Sequence, residues 1–247
     1  MAGIMMNQMT NMARANIIPN VWTGTTTGLQ INYLNAPSSG STWTDASGSG
    51  NNGTVYTVGT GSGTYTTSNN GGLTLGPSNN TNAAMVANTS YNLSVPFSIE
   101  VIANITATSF WATLFGNENY NSGTGWFAYW SGSGFLTIGS PSRTNGYAVT
   151  ANAGTIRQFI ITVDSTPSLN LYINGVLQSP STSGYTVAPG TSTTGLNFGS
   201  RHPNAGNTGT PNDCANGTYY QMRAYSIALN QSQVTANYNA VKATYGI

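Results

Sequence analysis

The side chains able to do acid, base, nucleophilic or metal chemistry are few enough to name. The carboxylates are Asp45, Glu100, Glu118, Asp164 and Asp213, beside one histidine, His202, and one cysteine, Cys214. Hydrolysis of a glycosidic bond takes two carboxylates across one cleft, an acid and a base or nucleophile. Glu100 stands alone on its predicted strand, and Asp164 ends another, where structural turn duty is expected. His202 has no acid partner visible in the sequence, so it reads as a loop residue rather than a general base. Cys214 lies between Asp213 and Ala215, with no cation nearby to favour the thiolate. Zinc takes several Cys or His ligands, and the chain has one of each. The expectation is therefore a protein that is not an enzyme, with no catalytic residue, no metal site and no cofactor.

One stretch has the composition of a ligand-binding loop. "TDASGSGNNGT", Thr44 to Thr54, is rich in glycine and asparagine around one acid. It lacks the Gly-Lys-Ser/Thr ending of a phosphate loop, and no helical pattern follows it. A calcium loop supplies several carboxylates, and here there is only Asp45. As a turn the composition makes sense: Asp45 and Ser47 bond nearby backbone N–H groups, and the glycines accept positive φ.

The elements that would position these groups are short strands. "FSIEVIANI" places Phe97, Ile99, Val101 and Ala103 on one face and Ser98, Glu100 and Asn104 on the other, the period of a half-buried strand. "FIITVD" alternates through Phe159, Ile161 and Val163. "LNLYINGVLQ" alternates through Leu169, Leu171 and Ile173 up to Asn174-Gly175, a two-residue hairpin signal because both turn positions need positive φ. Further strands are expected at Trp111–Asn117, Trp126–Ser131, Phe135–Ser140, Leu196–Ser200 and Tyr219–Ile227. Many short, regularly spaced strands indicate an antiparallel sandwich. One helix closes the chain. Asn230 is its N-cap and Gln233 completes a capping box. Leu229 and Val234 form a hydrophobic staple, and Gly246 is the stop. Its apolar stripe is Val234, Tyr238, Val241 and Tyr245.

Composition bounds the partners. Only 4% of the residues are charged and the net charge is +1, against about 25% charged in an average protein. No basic field exists to draw phosphates, so neither nucleic acid nor an anionic membrane surface is expected. A nearly uncharged surface either relies on hydroxyls and amides for solvation or belongs to a protein packed in an assembly, where contacts indifferent to salt are useful. No stretch is apolar enough to span a bilayer. The opening "MAGIMMNQMTNMARANIIPN" lacks the basic start and continuous apolar run of a standard signal peptide. Residues 1–24 read as an N-terminal arm and 25–247 as the sandwich. Met5, Met9, Met12, Ile17, Ile18 and Trp22 make the arm apolar. It either folds back on its own domain or docks on a neighbouring subunit.

Several motifs, taken in order, resemble one family. "WTDASGSGNNGT" is similar to the D-x-S-G-x-x-N-x-G signature of the laminin-G-like jelly rolls of the concanavalin A-like lectin/glucanase superfamily. "FSIEVIANI", "TLFGNENYNSGTGWFAYW", "IRQFIITVDSTPSLNLYINGVLQ", "LNFGSR" and "GTYYQMRAYSIALNQSQVTANYN" resemble its successive core strands and terminal helix, from about Gln30 to Tyr245. The resemblance implies an all-β antiparallel jelly-roll sandwich with a short C-terminal helix. Glucanases of that superfamily carry an E-x-D-x-x-E strand, which is absent here. The closing strand has Tyr220 and Gln221 before Arg223 where such domains often carry acids, which thins any calcium site.

Two functions fit. The first is a structural or surface-displayed protein of an assembly, a phage-type virion decoration, cement or fibre protein, with protein subunits or copies of itself as partners and the virion or an extracellular surface as its place. The second is a lectin-like adhesion module for cell-surface polysaccharide. Sugars stack on aromatic rings and bond to loop amides, which nominates Asn117, Asn119, Tyr120, Asn121 and Trp126 in one loop and His202 and Asn204 in the long loop 200–218.

Overall fold

The structure, a computed structural model, describes residues 22–34, 36, 40–58, 62–66, 71–76, 83–88, 90–106, 112–118, 124–130, 135–140, 143–149, 155–166, 168–183, 195–200 and 215–247. The strands in chain order are β1 (Leu29–Tyr33), β2 (Thr42–Trp43), β3 (Gly53–Val58), β4 (Ser62–Thr66), β5 (Gly72–Gly76), β6 (Ala83–Asn88), β7 (Phe97–Thr106), β8 (Ala112–Gly116), β9 (Phe127–Trp130), β10 (Leu136–Ser140), β11 (Arg143–Tyr147), β12 (Arg157–Val163), β13 (Leu169–Ile173), β14 (Val176–Gln178), β15 (Thr182–Ser183), β16 (Leu196–Phe198) and β17 (Asn216–Tyr225). They are followed by the helix α1 (Gln231–Tyr245).

Among the described residues these strands make two antiparallel sheets. Sheet A has eight strands in the order β14-β13-β12-β7-β17-β5-β4, with β1 also beside β17. Sheet B has nine, in the order β15-β11-β10-β9-β8-β16-β6-β3-β2. The length of β17 explains how it serves two neighbours on one edge. Gly217–Tyr219 pair with β5 and Met222–Tyr225 pair with β1. The register slips between Tyr219 and Gln221, which inserts Tyr220 as a bulge between the two halves.

The alternation read from the sequence sets the core. Phe97, Ile99, Val101 and Ala103 of β7 face Trp126, Ala128 and Trp130 of sheet B inside one large buried cluster, with Phe159, Ile161 and Val163 of β12 beside them. The strands expected around residues 111–117, 126–131, 135–140, 196–200 and 219–227 all form, with ends shifted by up to three residues. Asn174 and Gly175 turn between β13 and β14 with φ of 49° and 78°, as a two-residue hairpin requires.

The helix forms where its signals lie. The Asn230 side chain accepts the Gln233 N–H and the Gln233 side chain accepts the Asn230 N–H. Leu229 and Val234 are buried together, and Gly246 ends the helix in the left-handed region. One expectation is corrected here. The buried stripe is Val234, Asn237, Val241 and Tyr245. Tyr238 is half-buried instead and lies over Gly175, where an added Cβ would meet its ring at 3.1 Å. A polar residue takes the central place because the helix lies on a polar patch, described below.

The start of the described chain joins the same surface. Trp22 and Ile247 pack against one small cluster, Ile102, Tyr220, Val241 and Tyr245. Trp22, nominated as a contact with another subunit, is thus half-buried on its own domain. Met5, Met9, Met12, Ile17 and Ile18 lie outside the described residues.

Candidate binding surface

The middle of sheet A's outward face is closed by α1. The sequence pattern assigned Ser98 and Glu100 to the polar side of a half-buried strand, but both are fully buried, because α1 lies across that side. A carboxylate there must be neutralised and hydrogen-bonded. Glu100 Oε1 accepts from Arg223 Nη1 at 3.0 Å and Gln158 Nε2 at 2.8 Å. Its Oε2 accepts from Tyr225 Oη at 3.1 Å and Asn237 Nδ2 at 2.9 Å. The Arg223 guanidinium spends its other groups on Asn32 Oδ1, 3.0 Å from Nε, and on Gln221 Oε1. The Trp22 ring covers it, 3.4 Å from the guanidinium carbon to the ring centroid. Asn237 in turn accepts the Thr25 N–H at 2.7 Å. Burial, with the Glu100 charge beside it, holds the Tyr225 hydroxyl well above the ordinary tyrosine range.

Each Glu100 oxygen is taken by two donors and the residue is fully buried, so it has no geometry for acid or base work on a substrate. Gln158, Tyr225 and Asn237 carry no signal of their own in the sequence. The usable signal was a single acid in mid-strand of a chain with almost no charge, which has to find a buried partner.

Most of the outward side of sheet B is buried as well. Its inward residues belong to the core, and its outward residues form two rows across the strands. One row is Asn197, Gly116, Phe127, Gly139 and Thr144; the other is Thr113, Tyr129, Thr137 and Gly146. Phe127 and Tyr129 pair with centroids 4.9 Å apart. Both are nearly buried, Tyr129 at 9% exposure, so neither ring is an open stacking platform. Thr137 and Thr144 are half-buried. At the strand end, Phe135 reaches 36% exposure and is the one aromatic in the exposed range among residues with described side chains.

Two of the nominated sugar contacts are corrected. Trp126 is 2% exposed and stands edge-on to Phe97, 4.9 Å between centroids, as part of the core. Asn117 is fully buried, and its Oδ1 accepts the Trp126 N–H at 3.0 Å while its own N–H bonds the Trp126 carbonyl at 2.8 Å. The pair closes the base of the β8–β9 connection. Gly125 is required there, since a Cβ would fall 2.2 Å from the Asn117 carbonyl oxygen. Asn119, Tyr120, Asn121, His202 and Asn204 lie outside the described residues, as do Asp213 and Cys214.

The stretch from Thr44 to Thr54 is a turn used as a clasp. Asp45 Oδ1 accepts the N–H groups of Asn32 and Ser47 at 2.8 and 2.9 Å. Its Oδ2 accepts Ser47 Oγ and the Asn51 N–H at 2.7 and 2.9 Å. Gln30, the residue where the β1 register slips, gives its carbonyl to Ser47 Oγ and Asn51 Nδ2. The loop between the two sheets' edges thus holds the irregular point of β1. Asp164 does its expected duty, accepting from Thr166 N, Thr166 Oγ1 and Ser168 N within 2.8 Å. The Ser168 N–H, more than any other contact, pulls its carboxyl below the usual range. Among the described residues no three His, Cys, Asp or Glu gather as a metal set.

Sequence and structure comparisons match this architecture. The laminin G family model, described as the concanavalin A-like lectin/glucanases superfamily, matches residues 77–235. None of the curated protein sequences matches the chain. Among solved structures, one is of botulinum neurotoxin type C, whose cell entry depends on interaction with two ganglioside molecules. It matches with a TM-score of 0.61 at 16% identity over 87% of this chain and 51% of that one. The binding domain of Paraclostridial Mosquitocidal Protein 1 gives 0.61 at 20% identity over 86% and 52%. Trypanosoma rangeli sialidase gives 0.58 at 14% identity over 88% and 33%. The chain therefore spans about half the length of the toxin structures and a third of the sialidase. At these identities the likeness shows the fold.

Proposed function

The chain belongs to the laminin G-type family of the concanavalin A-like lectin/glucanase superfamily, and from that premise we propose that it is a non-catalytic, lectin-like module that binds a carbohydrate through the loops at one end of sheet B. The observation that carries this reading is Phe135, the exposed aromatic at the β9–β10 end, two residues from the half-buried Thr137 of β10. An aromatic face with hydroxyl and amide neighbours is the chemistry that holds a sugar ring. On the outward side of sheet A, α1 covers the middle of β7, β12 and β17. Ganglioside interaction by the type C neurotoxin is consistent with the proposal. So is the neurotoxin DC binding domain seen in complex with SialylT. The test is a glycan array with the intact protein. Phe135→Ala is expected to weaken binding at least tenfold, about 1.4 kcal/mol, while the melting temperature holds. No binding to any glycan at millimolar concentration would end the reading.

A second reading rests on composition. With 4% charged residues and an apolar stretch from Met5 to Ile18, the protein also suits a place in an assembly such as a phage-type particle, displayed at its surface. Deleting residues 1–21 is then expected to leave a folded domain that no longer co-purifies with particles. Normal incorporation of the deletion variant would exclude the arm as the contact.

A further inference from the structure

We infer that the loop 44–51 is an edge guard: it occupies the open edge of β1 and keeps a second copy of this chain from adding a strand to sheet A there. Among the described residues β1 pairs along one side only, with β17. The other side of such a strand offers N–H and C=O groups on which a foreign strand can build. Here the chain that follows takes them. The Asn32 N–H goes to Asp45 Oδ1 at 2.8 Å, and the Asn32 carbonyl accepts the Ala46 N–H at 2.9 Å. The Gln30 carbonyl accepts Ser47 Oγ at 3.0 Å and Asn51 Nδ2 at 2.8 Å. Just past the strand, the Leu34 carbonyl accepts Trp43 Nε1 at 2.8 Å. Side chains thus do for β1 what a neighbouring strand would do.

Sheet edges are commonly blunted by lysine, by other charges or by proline. The β1 sequence, Leu-Gln-Ile-Asn-Tyr, has none of these, in a chain with 4% charged residues. Its edge therefore has to be covered by hydrogen bonds. The guard is itself tied down on its far side. Asn52 Oδ1 accepts the Asp45 N–H, the Asn51 carbonyl accepts Tyr33 Oη, and the Asn52 carbonyl accepts Asn88 Nδ2 of β6. Asp45 is the centre, because one carboxylate holds β1 through Asn32 and gathers its own loop through Ser47 and Asn51. Without that carboxylate the Asn32 N–H is left open, and the loop that covers the neighbouring carbonyls loses its anchor. The occupant that fits the opened edge is another β1. Two copies related by a two-fold axis run their β1 strands antiparallel, so each offers the other the same groups.

The experiment compares the full-length Asp45→Ala variant with the wild type by sedimentation velocity over a concentration series, at a temperature where circular dichroism shows both folded. The variant is expected to self-associate with a constant at least about tenfold above that of the wild type. Hydrogen exchange reads the edge directly. The Asn32 amide should be slow in the wild type, fast in the dilute variant and slow again in the associated one. Val234→Ala weakens the buried seat of α1 and leaves β1 untouched, so it serves as a destabilised control and should associate as the wild type does. Where Asp45→Ala does not fold, Ser47→Ala with Asn51→Ala takes its place. It uncovers the Gln30 carbonyl and should strengthen association by a smaller factor. Three results overturn the inference: a folded edge variant that associates no more than the wild type, equal association by Val234→Ala, or an associated variant whose Asn32 amide still exchanges fast.

Discussion

Glu100 and Asp45 are both carboxylates taken out of water, and the chain satisfies them by different means. Asp45, in the β2–β3 loop, is held by two backbone N–H groups and one hydroxyl of that loop and by the Asn32 N–H of β1. Glu100, beneath α1, is held by four side chains from β12, β17 and the helix, one of them a cation. The first solution lies between Asn32 and Asn51 in the chain. The second exists only once sheet A is assembled and the helix has docked. A carboxylate in a loop can be answered by backbone dipoles; one in mid-sheet cannot, because its neighbours' N–H groups are already spent on the ladder.

The contrast breaks most visibly at Glu100. Glu100→Ala leaves the Arg223 guanidinium buried and unpaired, with an expected loss of about 3–5 kcal/mol, read as a large fall in the urea midpoint. Replacing both, Glu100→Leu with Arg223→Met, is expected to lose less than the single change, since removing a whole buried pair is far milder than orphaning half of it. A double variant as unstable as the single one would mean that the other knot members, not the ion pair, carry the effect. Asp45→Ala should come next. It frees three N–H groups, two of them in the half-buried loop where water reaches them more easily, and about 1–3 kcal/mol is expected. A loss equal to that of Glu100→Ala would erase the distinction between the two solutions.

Asp164 sharpens the same contrast at its mild end. Its turn is exposed, so Asp164→Ala is expected to change stability by less than about 1 kcal/mol. Its carboxyl is depressed, chiefly by the Ser168 N–H. The stabilisation is therefore complete above the ordinary value of 3.8 and is lost as pH falls through that value towards the lower folded one. The wild type and Asp164→Ala should converge in acid and separate above about pH 5; a difference that is constant from acid to neutral pH would show that the charge contributes nothing.

What the sequence disclosed and what it hid divide along the same line. The helix caps at Asn230 and Gly246, the alternation in β7, the Asn174-Gly175 turn and the Asp45 turn are all written in residues a few positions apart. The depth of Glu100 was not, because it depends on a helix more than a hundred residues later. For the same reason the helix stripe reads through Tyr238 rather than Asn237 in the sequence: an asparagine counts as polar until one knows that a carboxylate waits opposite. Trp126 and Asn117 mislead for the converse reason. A Gly- and Asn-rich stretch between aromatics resembles a rim, yet only register across β8 and β9 tells which side each ring takes. Phe135 is exposed at a strand end, a property that periodicity alone does not report.

The place of β17 has a consequence in time. Tyr33 of β1 waits for Met222, and Leu73 of β5 waits for Tyr219. During synthesis, roughly 10–40 s separate the emergence of β1 from that of its partner at ordinary elongation rates. Until then β1, β5 and β7 each present an open edge to their crowded surroundings or to one another. Sheet A is thus assembled late and nearly at once, around a strand delivered last, and the nascent chain has good reason to meet a holding chaperone before it meets its own final strand.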